Sequence, residues 1–307
     1  MVRGGAAVIL ALILLAFLAM ASPAGAQTGY AFRPQPEGES PEDILYSIDM
    51  QTGQAVKIGP AGGFMGVESF SFDLGCKNLY GVDDVTDQLV TCSIATGACT
   101  PVGPLGVNIT DTGLAFTADG SLYMSTDAPK PSKLYKIDPR TGHATLIGNQ
   151  GQEVTGLAAD QTGLYGLGGD GRDNLVKLDT TTGHATLIGP LKTVVLVDGG
   201  IDFDAKGVLW GIHPGSVGKV GHSETFTINT TTGAATIVAP VKDAGTGALL
   251  DGFKGLAIAD GVCRTLGPPP PPLPPVQVTA IPTLATWGLA GLGLLLTACG
   301  IVLLRRH

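Results

Sequence analysis

From Leu45 to Pro240 apolar and polar positions alternate in short runs, and one phrase returns five times. It reads LYSIDMQTGQAVKIGP from Leu45, LVTCSIATGACTPVGP from Leu89, LYKIDPRTGHATLIGN from Leu134, LVKLDTTTGHATLIGP from Leu175 and TFTINTTTGAATIVAP from Thr225. Each copy is an alternating strand, a turn of the D-x-x-T-G type and a second alternating strand, the pattern of a half-buried β-hairpin. The turn glycines Gly53, Gly97, Gly142, Gly183 and Gly233 recur at intervals of 44, 45, 41 and 50 residues. Glycine suits such a turn because it tolerates a positive φ. A second phrase precedes four of the hairpins: FSFDLGCKNLYG from Phe70, LAFTADGSLYM from Leu114, LAADQTGLYG from Leu157 and IDFDAKGVLWG from Ile201. It reads as strand, polar turn, strand.

Two hairpins make a four-stranded antiparallel unit of about 40–45 residues, the size of one blade of a β-propeller. No helical period interleaves with the strands, which argues against a parallel α/β fold. The first hairpin has Tyr30-Ala31-Phe32 before it but no LAFD-type strand, and the missing strand stands at the other end as Gly255–Asp260. If that strand completes the first blade, every repeat is used once and no sheet edge is left open. The expected fold is therefore all-β, a five-bladed propeller with C-terminal strand closure, with six blades as the alternative.

The two ends of the chain carry routing information. Arg3, the apolar run Ala6–Met20 and Ala24-Gly25-Ala26 form the pattern of a secretory signal peptide over residues 1–26. It implies signal peptidase and the export machinery as partners. Residues 27–267 hold the repeats. A proline run from Pro268 to Pro275 then makes 268–280 a stiff, extended linker. From Trp287 to Leu304 there are 18 residues without a formal charge, just long enough as a helix to cross a bilayer. Arg305 and Arg306 follow directly and would hold that end in the cytoplasm.

The start of this last segment, Ile281-Pro282-Thr283-Leu284-Ala285-Thr286-Trp287-Gly288, resembles the IPTLxxWG form of the IPTL-CTERM sorting signals of Gram-negative bacteria, relatives of the PEP-CTERM signals. All six specified positions, Ile281, Pro282, Thr283, Leu284, Trp287 and Gly288, agree, although the resemblance covers only residues 281–307. It implies that the chain is a substrate of an exosortase-type membrane transpeptidase. It also implies a route: export, transient anchoring in the inner membrane through the C-terminal helix, then the cell surface or extracellular matrix.

Composition changes this picture little. The 44% hydrophobic content and mean hydropathy of +0.30 are inflated by the two ends, so a polytopic membrane protein is not implied. Glycine is frequent (46 of 307 residues) and charged residues make up only 14%, a mix that suits short strands and tight turns. A formal net charge of −8 argues against nucleic acid or an anionic surface as partner. Cys92 and Cys99 flank one TG turn at facing positions, which makes a disulfide geometrically reasonable in an oxidising compartment. Cys76 and Cys263 fall at equivalent turns of blades that closure would make neighbours, a second candidate pair. Cys299 lies in the membrane segment.

The search for chemistry is mostly negative. There is no phosphate-binding loop, no G-x-S-x-G, no H-E-x-x-H and no paired C-x-x-C, and no cofactor is expected. His143 and His184 read as turn decoration, and His213 and His222 share a glycine-rich loop without a supporting carboxylate pattern. Asp83, Asp84 and Asp87, and likewise Asp170, Asp173 and Asn174, read as solvated turns before they read as calcium loops. Asp49, Asp138 and Asp179 read as turn formers, and Trp210 as blade core. Of the acids on the strands expected to face inward, Glu68, Asp202 and Asp204 are the candidates. The TG turns are uniform and mark a structural side, whereas the loops Phe32–Asp43, Gly81–Gln88, Ser125–Lys133, Gly166–Asn174, Gly211–Glu224 and Val241–Lys254 vary, so a binding site is expected among them. The expected function is non-catalytic binding or scaffolding of extracellular polysaccharide or protein. A secreted glycosidase-like propeller and a purely structural matrix protein are the alternatives.

Overall fold

The computed structural model describes residues 27–34, 42–127, 129–169, 171–194, 198–215 and 221–259. The chain divides into two units, Met1–Leu266 and Gly267–His307. The first carries all the described strands. The expected signal peptide, linker, sorting motif, membrane helix and terminal arginines lie outside the described residues, as does Cys263.

The alternating runs form the strands they predict. β1 (Thr28–Arg33), β2 (Ile44–Asp49) and β3 (Gln54–Pro60) give three strands of the first blade. β4 (Val67–Phe72), β5 (Leu79–Asp83), β6 (Gln88–Cys92) and β7 (Cys99–Pro104) form the second. The third is β8 (Thr112–Phe116), β9 (Leu122–Thr126), β10 (Lys133–Ile137) and β11 (Ala144–Asn149). β12 (Gly156–Asp160), β13 (Gly163–Gly168), β14 (Asn174–Leu178) and β15 (Ala185–Pro190) make the fourth, and β16 (Gly200–Phe203), β17 (Leu209–His213), β18 (Glu224–Ile228) and β19 (Ala235–Pro240) the fifth. After a two-residue strand, β20 (Lys242–Asp243), the chain returns to the first blade as β21 (Lys254–Ile258). There β21 pairs antiparallel with β1, Gly29 opposite Ile258 and Tyr30 opposite Ala257. The fold is a five-bladed β-propeller of four-stranded antiparallel blades, closed by its last described strand.

Each blade is too thin to bury its own apolar faces, so the core lies between blades. Five buried clusters fill the five interfaces. The cluster joining the fifth blade to the first sets Trp210 and Ile212 against Tyr46, Ile48 and Leu256. Aromatic pairs bridge other joints, Tyr30 meeting Phe72 edge-on at 5.7 Å and Tyr165 meeting Phe203 at 5.4 Å. A buried Phe or Leu side chain is worth about 1.5–3 kcal/mol, so each interface holds its blades firmly and loss of β21 would open one of them.

The D-x-x-T-G turns do two jobs. Asp49, Asp138 and Asp179 each use Oδ1 to accept amides two or three residues on, and the glycines take φ values from +71° to +81°. Each glycine also sits on the preceding blade. A Cβ on Gly97 would lie 2.1 Å from Gly59 O, and one on Gly142 2.3 Å from Gly103 O. Their uniformity therefore records a packing contact repeated around the ring. A further turn of this type, Asp243–Gly247, stands before β21, with Gly247 at φ +74° and Asp243 Oδ1 accepting Thr246 N at 2.7 Å.

Cys92 and Cys99 face each other across β6 and β7 and form a disulfide, S–S 2.00 Å. Closing so short a loop contributes roughly 2 kcal/mol. Cys92→Ser/Cys99→Ser is expected to lower the unfolding free energy measured in urea by that amount, and an unchanged value would show that the hairpin needs no crosslink. Cys76 Sγ lies 3.0 Å from Ala259 O.

Candidate functional site

The five inner strands β21, β4, β8, β12 and β16 border one another around the axis and begin at the same end. There a small residue follows the mouth position on each: Ser69 after Glu68, Gly113 after Thr112, Gly156 after Thr155, Gly200 after Gly199 and Gly255 after Lys254. These residues let backbone meet backbone. A Cβ on Gly200 would stand 2.1 Å from Gly255 C, and one on Gly156 2.5 Å from Gly199 O. The channel narrows here to a void of about 10 Å³, room for no more than one water.

The mouth is charged. Lys254 Nζ donates to Glu68 Oε1, and carboxylate oxygens of Glu68, Asp111 and Asp198 lie within 4.8 Å of one another. The Glu68 side chain is 3% exposed and is hydrogen-bonded to Asp111 as well as to Lys254. Burial, against the pull of Lys254, pushes the Glu68 carboxyl up to about 8. Burial and the charge of Asp111 push Asp198 up to about 6. Asp111 is raised by burial and then by Asp127, and Asp84 by burial above all. Burial alone would lower Lys254, yet Glu68, Asp198 and Asp111 together hold its ammonium above the usual range. Near neutral pH the cluster thus keeps its lysine charged and retains a proton on Glu68.

In an antiparallel blade the inner strand begins at the end that carries the connection between the second and third strands. Asp84 N accordingly donates to Gly66 O at 2.9 Å and Asp127 N to Asp111 O at 3.2 Å. The charged mouth lies on the variable-loop side. A polar groove of about 340 Å³, lined by Lys130, Asn149, Gln152, Glu153 and Arg172 among others, is built on this side from the connections after β9 and β13 and the one that joins β11 to β12. Lys130 Nζ sits 3.2 Å from Glu153 Oε2 within it.

Of the three inward acids expected from sequence, only Glu68 reaches the mouth. Asp202 is a latch: Oδ2 accepts Ile258 N at 2.7 Å and Oδ1 accepts Phe203 N at 2.8 Å, tying the closing strand to the fifth blade. Asp204 accepts Trp210 Nε1 at 3.1 Å and turn amides from Lys206 and Val208. Trp210 is blade core, buried as expected. Asp83 is no solvated turn residue. It is fully buried and braces Gly66 N at 3.1 Å and Thr86 N at 2.9 Å. Asp170 lies outside the described residues. His213 and His222 both approach Glu224, at 3.3 and 3.8 Å.

Sequence reading missed Asp111, Asp198 and Lys254. The signal was present, because each stands one or two residues ahead of a glycine at the first or second position of an inner strand: Asp111-Thr112-Gly113, Asp198-Gly199-Gly200 and Lys254-Gly255. Only knowledge of which strand is innermost gives that spacing its meaning.

A five-bladed propeller with a shut channel and a charged mouth is the class that fold and site define. No protein-family model matches the chain, and no curated protein does. Solved structures similar to it include one from a nidogen/laminin complex, with TM-score 0.48 and 12% identity over 71% of this chain and 77% of that one. A structural-genomics protein of unknown function from Bacteroides thetaiotaomicron VPI-5482 has TM-score 0.46 and 20% identity over 60% of this chain and 53% of that one. TolB from Acinetobacter baumannii has TM-score 0.46 and 14% identity over 72% and 55%. The chain spans little more than half the length of the latter two.

Proposed function

We propose that the chain is an exported, surface-sorted propeller, a substrate of an exosortase-type transpeptidase, that binds or scaffolds extracellular polysaccharide or protein without catalysing a reaction. The observation that carries this reading is the placement of polar chemistry: the charged mouth and the groove at Lys130, Gln152, Glu153 and Arg172 share the variable-loop side, above a channel too narrow for substrate. The Cys92–Cys99 disulfide fits an oxidising destination. The IPTLxxWG tail supports the sorting step, with signal peptidase, the export machinery and the membrane as partners on the way.

Two measurements test it. Mass spectrometry of the mature protein from wild-type cells is expected to find no Arg305-Arg306-His307 terminus; an intact terminus refutes processing. On glycan and protein arrays, binding by the full chain is expected to drop at least tenfold in a Gln152→Ala/Arg172→Ala variant. Unchanged binding moves the ligand elsewhere, and no binding at all favours a purely structural matrix role.

A second reading has one observation in its favour. A raised carboxyl, Glu68, stands beside a second, Asp111, and a pair of carboxyls is what retaining glycosidases use. Hydrolysis of a polysaccharide panel that is lost in Asp111→Asn would establish it. The near-complete burial of Glu68 stands against a sugar reaching both groups.

A further inference from the structure

The residue that follows Ala24-Gly25-Ala26, Gln27, is not at the surface. It is 4% exposed, and among the described residues its Oε1 is buried without a hydrogen-bond partner. Gln27 O accepts Met50 N at 2.9 Å, and β1 begins at the next residue, with Thr28 opposite Asp49. One position further on, a Cβ on Gly29 would stand 2.7 Å from Met50 Sδ and 2.8 Å from Leu256 Cδ1. The start of β1 is therefore wedged between the residue that follows β2 and the closing strand β21. It lifts into water only if those elements part. Removal of residues 1–26 would make Gln27 an N-terminus in that place. An ordinary α-amino group, with a pKa of about 7.7–8.0, is an ammonium at neutral pH. Burying an ammonium without a counter-ion is costly, and Asp49 across the strand already uses its Oδ1 on the amides of Gln51 and Thr52.

We propose that the mature chain begins with pyroglutamate formed from Gln27, a modification that makes the buried end neutral. The α-amine, freed when the bond after Ala26 is cut, attacks the side-chain amide carbon Cδ of the same residue. A bond forms between the α-nitrogen and Cδ, the Cδ–Nε2 bond breaks, and Nε2 leaves as ammonia with a proton from the amine. No oxidant, reductant or second substrate takes part. The product is a five-membered lactam that keeps Oε1 as its carbonyl and has one N–H where an ammonium and a primary amide stood. Fewer donors are then left to satisfy in a site that excludes water. The inference rests on the export reading, and within it on cleavage after Ala26; it is independent of how the tail is processed and of what the groove at Arg172 holds.

The test is mass spectrometry of the mature protein from wild-type cells. Its free amines are methylated under denaturing conditions before digestion, so that a ring closed during handling is not counted. The N-terminal peptide is expected to begin at residue 27, unmethylated at its α-nitrogen and lighter than the glutamine form by one ammonia. A peptide that begins at Gln27 with a methylated amine overturns the cyclisation and leaves export standing. A start at Gly25 overturns the proposal alone, and an intact Met1 end overturns the export reading with it. Gln27→Asn keeps an amide but would need a four-membered ring, so its amine stays free. Its Tm is expected to lie about 5 °C below wild type at about pH 6. The gap is expected to narrow by about pH 9, where an α-amine has lost its charge. An equal gap at both pH values reports only the lost methylene and overturns the argument from buried charge.

Discussion

Gly200→Ala is expected to lower the stability of the propeller by about 3 kcal/mol or more, an unusually large effect for adding one methyl group. Gly200 begins β16 at the axis, where β16 meets the closing strand β21. The added Cβ would lie 2.1 Å from Gly255 C and 2.2 Å from Leu256 N. Both obstacles are backbone, so no side chain can swing away, and relief requires β21 to move. β21 cannot move alone, since Asp202 grips Ile258 N at 2.7 Å and β1 pairs along its other edge. The strain therefore reaches two blade interfaces. Gly221→Ala is the control: nothing among the described residues lies within 4 Å of its Cβ position, and the change is expected to stay within about 0.5 kcal/mol of wild type. Chemical denaturation of the two variants side by side is the measurement. A Gly200→Ala midpoint near that of the control would mean that the inner strands are not in backbone contact.

The second large effect is on pH. Stability is expected to fall by about 6 kcal/mol between pH 5 and pH 8.5. Glu68, whose ordinary value is 4.5, is pushed up to about 8, and Asp198 and Asp43, ordinarily 3.8, each to about 6. A carboxyl with a raised folded-state pKa stabilises the native state fully below its unfolded value. That stability is lost as pH rises through the folded value, because the unfolded chain ionises freely while the native chain must charge a buried group. The groups around Glu68 are Lys254, which favours its ionisation, and Asp84 and Asp198, which oppose it. Glu68→Gln copies the protonated form. It is expected to match wild type near pH 5 and to exceed it by several kcal/mol at pH 8.5. Equal destabilisation at both pH values would show instead that ionised Glu68 and Lys254 form a net-stabilising pair.

The architecture was legible because a propeller repeats. Five copies of one hairpin, at nearly constant spacing, give blade number and strand order without any contact being known. The unpaired Tyr30-Ala31-Phe32 segment and the orphan strand at Gly255 could be matched across the chain because a sheet edge must be covered. The facing positions of Cys92 and Cys99 follow from the two-residue period of a hairpin. Asp202 and Asp204 were misplaced for a simple reason. Alternation says which residues share a face of a strand, but not whether a carboxylate on that face meets an open mouth or a neighbour's amide.

Local pattern alone thus determined the strands, the turns, the blade count and the tail that resembles a sorting signal, since each depends on residues near one another in the chain. The charged mouth is different. Glu68, Asp111, Asp198 and Lys254 come from four different blades, and Glu68 and Lys254 are separated by 186 positions. Their meeting depends on ring closure and on glycines small enough to bring the inner strands into backbone contact. Burial then raises the carboxyl pKa values and brings Glu68 into hydrogen-bonding contact with Asp111. Those properties arise only from the folded packing, because no isolated segment excludes water from its own acids.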